Sequence, residues 1–284
     1  MENVERFRHK ISFLSKESIK CPVCQKEFFH ENLMFGGGRL IAGDITEMLH
    51  RIYKPSQTYG KIYPLVYPIL VCPDCFYASM SSDFDKVPED KIEILKDLRD
   101  ERIEFANKLI GEPADFSRYR TLKTGAVSYV LATRCYDHFT KKAFPVIKQA
   151  ICSIRAAYLF DELETEEPDN YFKFVAETFY KKALFFYKHA VDLNQKKEQI
   201  MENLKVMGPD IDKDYGYDGV TYLIAALTYI YGSKENPTER KKDLEEARLY
   251  FGKLFGMGKS NVNKPKEILE RSKDFYDLIT KEMK

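Results

Sequence analysis

No stretch of this sequence reaches the ~18 consecutive apolar residues that a bilayer-spanning helix needs, so a role built on membrane-crossing helices is not expected. Tryptophan is absent, although Phe (20) and Tyr (19) are plentiful. An excess of either charge is missing too. The 45 Lys and Arg balance 44 Asp and Glu, leaving a formal +1, so no global field favours nucleic acid or an acidic membrane surface. With five histidines there is no His-rich metal set, and neither a nucleophile elbow nor a dinucleotide-binding glycine loop occurs. Met1 to Lys20 is charged throughout and lacks the apolar core of a signal peptide. A cytoplasmic location is therefore expected.

What is present is a pair of short motifs. Cys21-Pro22-Val23-Cys24 is answered by Cys72-Pro73-Asp74-Cys75. Each Cys-Pro-x-Cys turn can present two thiolates from one tight knuckle. Four thiolates saturate a tetrahedral Zn²⁺ and leave no position for water, which points to a structural metal and away from a catalytic one. Alternatives are four reduced core cysteines, or a set that uses His30 as a ligand. Cys135 and Cys152 stand alone in apolar stretches and read as buried small residues. A reactive thiol would need an electropositive setting, at which Arg134 only hints.

The insertion between the knuckles exceeds that of a compact zinc ribbon. Gly36-Gly37-Gly38 reads as a turn, since the Gly-Lys-Ser/Thr ending of a phosphate loop is missing. Asp44 and Glu47 look like a capping box. With Ile45, Met48, Leu49 and Ile52 they predict a short helix, on whose surface His50 would sit. Leu65 to Val71 reads as a strand, placed at an edge by Pro68. Upstream, Val4, Phe7, Ile11 and Leu14 predict an amphipathic helix over residues 2–18. After the second knuckle, Pro88, Glu89 and Asp90 start a long helix, which ends at Gly111-Glu112-Pro113.

Beyond residue 116 the pattern is helical, over roughly Lys123–Phe139, Phe144–Asp161, Tyr171–Leu193, Gln195–Met207, Val220–Tyr231, Lys242–Phe255 and Lys264–Met283. The stops are Pro145, Pro168, Gly208-Pro209, Gly216, Gly232 and Gly256 to Gly258. Small residues recur with larger apolar ones at Ala150, Ile154 and Ala157, at Ala183, Tyr187 and Ala190, and at Ala247, Phe251 and Leu254. Helical hairpins of the tetratricopeptide kind use this device, though the repeat length wanders and a leading Trp is missing. A plain helical bundle is the alternative. Asp210, Asp212, Asp214 and Asp218 do not match the ligand spacing of a calcium loop and read as a solvated loop.

Arg118 to Arg155 holds eight basic residues (Arg118, Arg120, Lys123, Arg134, Lys141, Lys142, Lys148 and Arg155) against the single acid Asp137. Tyr119, Tyr129, Tyr136 and Phe139 are interleaved. Basic and aromatic residues together can follow a nucleic-acid strand. An acidic block from Asp161 to Asp169 follows at once, so the two blocks can also face each other.

The order CPVC, GGGR, GD, then VCPDCFYAS ahead of a helical tail resembles the bacterial domain-of-unknown-function family 2225. The resemblance is tightest around Cys21–Cys24 and Val71–Ser79. It implies a split zinc cluster with a tetratricopeptide-like tail, and implies no activity. Arg39 and Asp44 fall where such proteins tend to carry Arg and Asp, and Phe76 stands where a Gly often follows the second knuckle.

The expected architecture is mainly α. A small α+β zinc-ribbon-like module with its bridging helix occupies residues 1–112, and an all-α tetratricopeptide-like array occupies 113–284. The expected function is a non-catalytic, zinc-stabilised scaffold that binds a protein or peptide through a groove. Tyr180, Tyr187, Tyr222 and Tyr229 would lie in that groove or in the core. Alternatives are a nucleic-acid binder using Arg118, Arg134, Lys141 and Lys142, or an enzyme with a site at the module junction using Arg39 and Asp44.

Overall fold

The computed structural model describes residues 10–255 and 264–284. Val4, Phe7 and the stop at Gly256 to Gly258 lie outside the described residues. The N-terminal part is built from β1 (Ser12–Leu14), β2 (Ile19–Lys20), β3 (Glu27–Phe28), β4 (Glu31–Leu33), β5 (Ile41–Ile45), β6 (Arg51–Lys54), β7 (Ile69–Val71) and β8 (Ala78–Met80). They pair as separate antiparallel ribbons, β1 with β4, β2 with β3, β5 with β6 and β7 with β8. Ribbons this small are not stable alone. They depend on the sulfur cluster and on the helices behind them.

Those helices are α1 (Ile92–Asp97), α2 (Arg99–Ile110), α3 (Leu122–Cys135), α4 (Pro145–Glu166), α5 (Tyr171–Gln195), α6 (Gly216–Tyr231), α7 (Pro237–Phe255) and α8 (Lys266–Glu282). The protein is mainly α with a small strand region. Their ends follow the expected chemistry. Gly111 closes α2 in the left-handed region (φ 72°), where a residue without Cβ fits. The Thr121 and Thr124 side chains cap α3 reciprocally. Pro145 sits in the first turn of α4. The Asp169 carboxylate accepts the N–H groups of Tyr171 and Phe172 at the start of α5.

Two helical pairs, α4 with α5 and α6 with α7, carry the small-residue stripes. Ala150, Ile154, Ala157, Ala183, Tyr187, Ala247 and Phe251 are fully buried, which lets the axes approach closely. α8 lies against α6 and α7. Its Phe275 stacks on Phe251 (5.2 Å between centroids) and meets Tyr222 and Tyr229 edge-on.

Four sequence expectations are corrected. Ser12–Leu14 is a strand paired with Glu31–Leu33, not part of a helix, and Leu14 is exposed on it. Asp44 to Ile52 is a hairpin, not a capped helix. Thr46 N–H donates to the His50 carbonyl (2.8 Å), and Leu49 takes φ 63°, which no right-handed helix permits. Cross-strand pairing and burial of Met48 and Leu49 override the local helical spacing. Residues 196–207 form a loop with one 3-10 turn, Met201–Asn203, in place of the helix expected there. The Leu65–Val71 stretch splits into a 3-10 turn at Pro64–Val66 and the strand β7.

The strand region and the helices meet without a gap at Gly125. A Cβ added there would lie 2.5 Å from Val66 Cβ and 2.8 Å from its Cα. Alanine is the better helix former by ~1 kcal/mol, but overpacking a backbone contact costs about 1–3 kcal/mol. Gly125→Ala is therefore expected to lower stability by ~1–2 kcal/mol, read as a lower urea midpoint at unchanged slope.

Candidate metal centre and junction cleft

The two knuckles have the same local design. Cys21 N–H donates to the Lys26 carbonyl and Gln25 N–H to the Cys21 carbonyl. Cys72 N–H donates to Tyr77, and Phe76 N–H to Cys72. Gln25 (φ 65°) and Phe76 (φ 54°) both take the left-handed conformation that closes such a turn. Phe76 holds it without glycine's freedom because its ring is buried edge-on against Phe116, 4.9 Å away. Arg102 on α2 donates from two nitrogens to the Cys75 carbonyl (3.0 and 2.8 Å).

The sulfurs converge. Cys21 Sγ lies 3.7 Å from Cys75 Sγ, and Cys24 Sγ 3.5 Å from Cys72 Sγ. All four lie within 4.8 Å of one another. A tetrahedral metal with bonds of ~2.3 Å sets sulfurs ~3.8 Å apart, so the donor set fits a metal ion. The thiols' own acidities agree. Hydrogen bonds from Cys21 and Cys75 pull Cys72 down to about 2. The same sharing pushes Cys21 up to about 12 and raises Cys75 as well. One thiolate is welcome, and further ones need a cation. His30 is outside this cluster. Burial and nearby Arg120 lower it to about 4. Cys135 and Cys152 are buried, and desolvation raises both, Cys152 to about 12, which leaves them inert.

A second constellation sits where the hairpin tip meets the helices. The tip's carbonyls are taken by helical donors: Met48 by Tyr158 Oη, Glu47 by Tyr222 Oη (2.9 Å) and Ile45 by Arg271 (2.6 Å). His50 is a buried residue, not an exposed helical one. It stacks on Tyr158 (4.4 Å) and donates from Nδ1 to Asp210 (2.7 Å). Asp210 also accepts the backbone N–H groups of Arg51 and Ile211. It is buried and structural, not part of a solvated loop. On the other side His50 Nε2 is 3.6 Å from Glu162, too far for a hydrogen bond, and has no partner. Lys61 bridges Glu162 (2.8 Å) and Glu166 (3.0 Å). Burial alone would lower the His50 pKa. The hydrogen bond to Asp210 and the negative charges of Asp210 and Glu162 outweigh it and raise the pKa above the ordinary 6.5. Asp210 and Glu162 are correspondingly held below the usual carboxylate values, against their burial.

His50, Lys61, Tyr158 and Glu162 line a cleft of about 580 Å³ with Glu47, Asp161, Tyr180, Ile230 and Tyr231. A neighbouring concavity of about 640 Å³, lined by Glu177, Lys181 and Lys234, shares Ile230 and Tyr231 with it.

The other residues singled out in the sequence fall elsewhere. Tyr187 and Tyr222 are fully buried and Tyr180 nearly so, so Tyr187 and Tyr222 are core residues and line no groove. Arg39 donates to the Lys10 and Gly36 carbonyls and lies over Tyr59, while Asp44 is exposed on β5. They form no site at the junction. The basic run is largely neutralised from within. Arg118 pairs with Asp115, Lys123 with Glu167, Arg134 with Glu101, Lys141 with Glu198 and Lys148 with Asp83. Arg120 donates to the Ile69 carbonyl and Arg155 to that of Pro209. Lys142 is exposed.

Two outcomes follow. Phe76→Gly should relieve ~1 kcal/mol of left-handed strain but lose a buried ring worth ~3 kcal/mol or more, so the protein is expected to be less stable by ~2 kcal/mol in chemical denaturation. For the buried pair, Asp210's folded pKa lies below its ordinary 3.8 and that of His50 above 6.5. The pair's contribution is thus fully present between those ordinary values. It is lost as pH falls through the Asp210 pKa, and again as pH rises through that of His50. Asp210→Asn should cost ~3 kcal/mol near pH 6, and less once pH has risen through the His50 pKa, measured by urea denaturation across a pH series. A cost that falls at no pH above 6.5 would contradict the charged pairing.

Comparison with known proteins places these features in a wider group. The profile of a family described as "Uncharacterized protein conserved in bacteria (DUF2225)" matches residues 14–279. A protein of Borreliella burgdorferi, described as an uncharacterized protein, is 41% identical over 275 residues, covering 97% of this chain and 98% of its own length. No solved structure matches. The four-sulfur cluster and the helical tail behind it are thus carried by a chain that belongs to the bacterial DUF2225 family.

Proposed function

We propose that the protein is a zinc-stapled receptor for an extended segment of a partner protein. Cys21, Cys24, Cys72 and Cys75 hold a structural Zn²⁺, which ties the two knuckles together and supplies no open coordination position. A purely thiolate, tetrahedral set suits zinc, with iron as the competitor. Reduced thiols fit the cytoplasmic setting expected above. The partner segment lies in the groove beside the hairpin tip. The observation that carries this reading is that two concavities lie side by side at the junction and share Ile230 and Tyr231. The groove first expected around Tyr222 and Tyr229 is filled by Phe275 of the chain's own α8.

An enzymatic reading has one observation in its favour. Asp210 fixes the proton of His50 on Nδ1 and leaves Nε2 unpartnered in a residue that lines a cleft, as in acid–base pairs. A nucleic-acid role has less support, because the cations of the 118–155 run are engaged internally.

Metal analysis of the purified protein should find about one zinc per chain, colourless and without iron. Cys75→Ser should lower zinc content and cost several kcal/mol of stability, since metal binding to such sites is folding energy. Retention of full stability after chelation would remove the staple. Crosslinking from a photoreactive residue placed at Lys181 should capture a partner segment that a Tyr231→Glu variant fails to hold.

A further inference from the structure

The groove has an unbalanced interior. Glu162 is tied to Lys61, and Asp210 to His50. Among the described residues Glu47, Asp161 and Glu177 have no cationic partner. Asp161 is solvent-accessible at the cleft wall and accepts one hydrogen bond, from Tyr180 Oη (2.6 Å). Crowding by the walls nevertheless raises its carboxyl above the ordinary 3.8. These three carboxylates converge on Tyr231. After burial, they are what raises its phenol.

The same wall is a row of rings. His50 stacks on Tyr158 (4.4 Å), Tyr158 is tilted against Tyr180 (6.2 Å), and Tyr180 stacks on Tyr231 (4.8 Å). A separate observation marks the inner end of the row as waiting for a ligand. His50 lines the cleft, and its Nε2 is buried just behind the wall with no hydrogen-bond partner, while Glu162 stands 3.6 Å off. A neutral imidazole held by Asp210 offers an acceptor lone pair at that nitrogen.

We propose that the cleft binds an organic cation bearing N–H groups, namely a protonated alkylamine or a guanidinium. The ring faces and the unmatched carboxylates attract the charge, and His50 Nε2 accepts an N–H. The inference rests on the groove being a ligand site and names the chemistry of its occupant. That chemistry has two sources, a Lys or Arg side chain of a partner segment, or a free polyamine. Lys181 and Lys234 lie in the neighbouring concavity and do not neutralise the inner end. The groups facing His50 are Asp210, Glu162, Lys61, Asp161 and Tyr158. A proton on His50 competes with the ligand's charge, so binding tightens as pH rises through the His50 pKa.

The test is calorimetric titration of the full-length, zinc-loaded protein with three probes: a blocked Gly-Ser-Arg-Ser-Gly peptide, the same peptide with citrulline in place of Arg, and spermidine. The expected result is binding of the Arg peptide, weakened about tenfold or more by Asp161→Asn combined with Glu177→Gln, and unchanged by Glu245→Gln on the exposed face of α7. Affinity should also rise across a pH series as pH passes upward through the His50 pKa, which lies above 6.5. Spermidine binding alone, with the same sensitivity to the variants, supports the cation site and assigns it to a free amine, against the segment-binding reading. Equal binding of the citrulline peptide overturns the cation inference and leaves the groove. No binding of any probe up to about 10 mM overturns both.

Discussion

Three backbone carbonyls at the tip of one hairpin are met by side-chain donors from the helices behind it, that of Met48 in a buried setting. An unmet buried carbonyl costs about 1–3 kcal/mol, and the tip at residues 45–48 presents Ile45, Glu47 and Met48 together. Tyr158 of α4, Tyr222 of α6 and Arg271 of α8 meet them. Each donor comes from a different helix, so the tip fixes where those helices stand relative to the strands. The cleft is the remainder of that arrangement. The tip supplies His50 and Glu47, the helices supply Asp161, Glu162 and Tyr231, and the space between them stays open.

The sulfur cluster acts on the same junction from the other end. The small ribbons have little buried surface of their own, and their order depends on the link between residues 21–24 and 72–75. The Arg102 fork on the Cys75 carbonyl carries that order into α2, and Gly125 lets α3 close onto Val66. The Asp83 carboxylate, buried and accepting from Tyr136 and Lys148, ties the end of the strand region to α3's exit and to α4. Metal centre and cleft are therefore coupled through packing, and neither is an ornament on a pre-formed helical tail.

The sequence revealed the four-sulfur cluster because its cysteines come in two short, locally closed motifs whose geometry belongs to the turn itself. The helices were visible because Ala183, Tyr187 and Ala190, or Ala247, Phe251 and Leu254, keep one period along one face. The hairpin was not. Asp44, Glu47 and the apolar residues around them carry a helical spacing, and only cross-strand pairing with Arg51–Lys54 and the left-handed Leu49 decide against it. The cleft left still less trace. His50 and Asp210 are far apart in the chain, and no local pattern announces a partner at that range. The one available hint was an isolated histidine beside a run of apolar residues that lead nowhere as a helix.

The walls of the cleft are drawn from the hairpin, from α4 and α5, and from the last turn of α6 at Ile230 and Tyr231. A growing polypeptide cannot complete these walls until its length through Tyr231 has been synthesised. Products truncated before that point lack part of the site proposed for the ligand. Ligand capture would thus report that translation has gone past the last turn of α6 and that the strands and helices have been brought together.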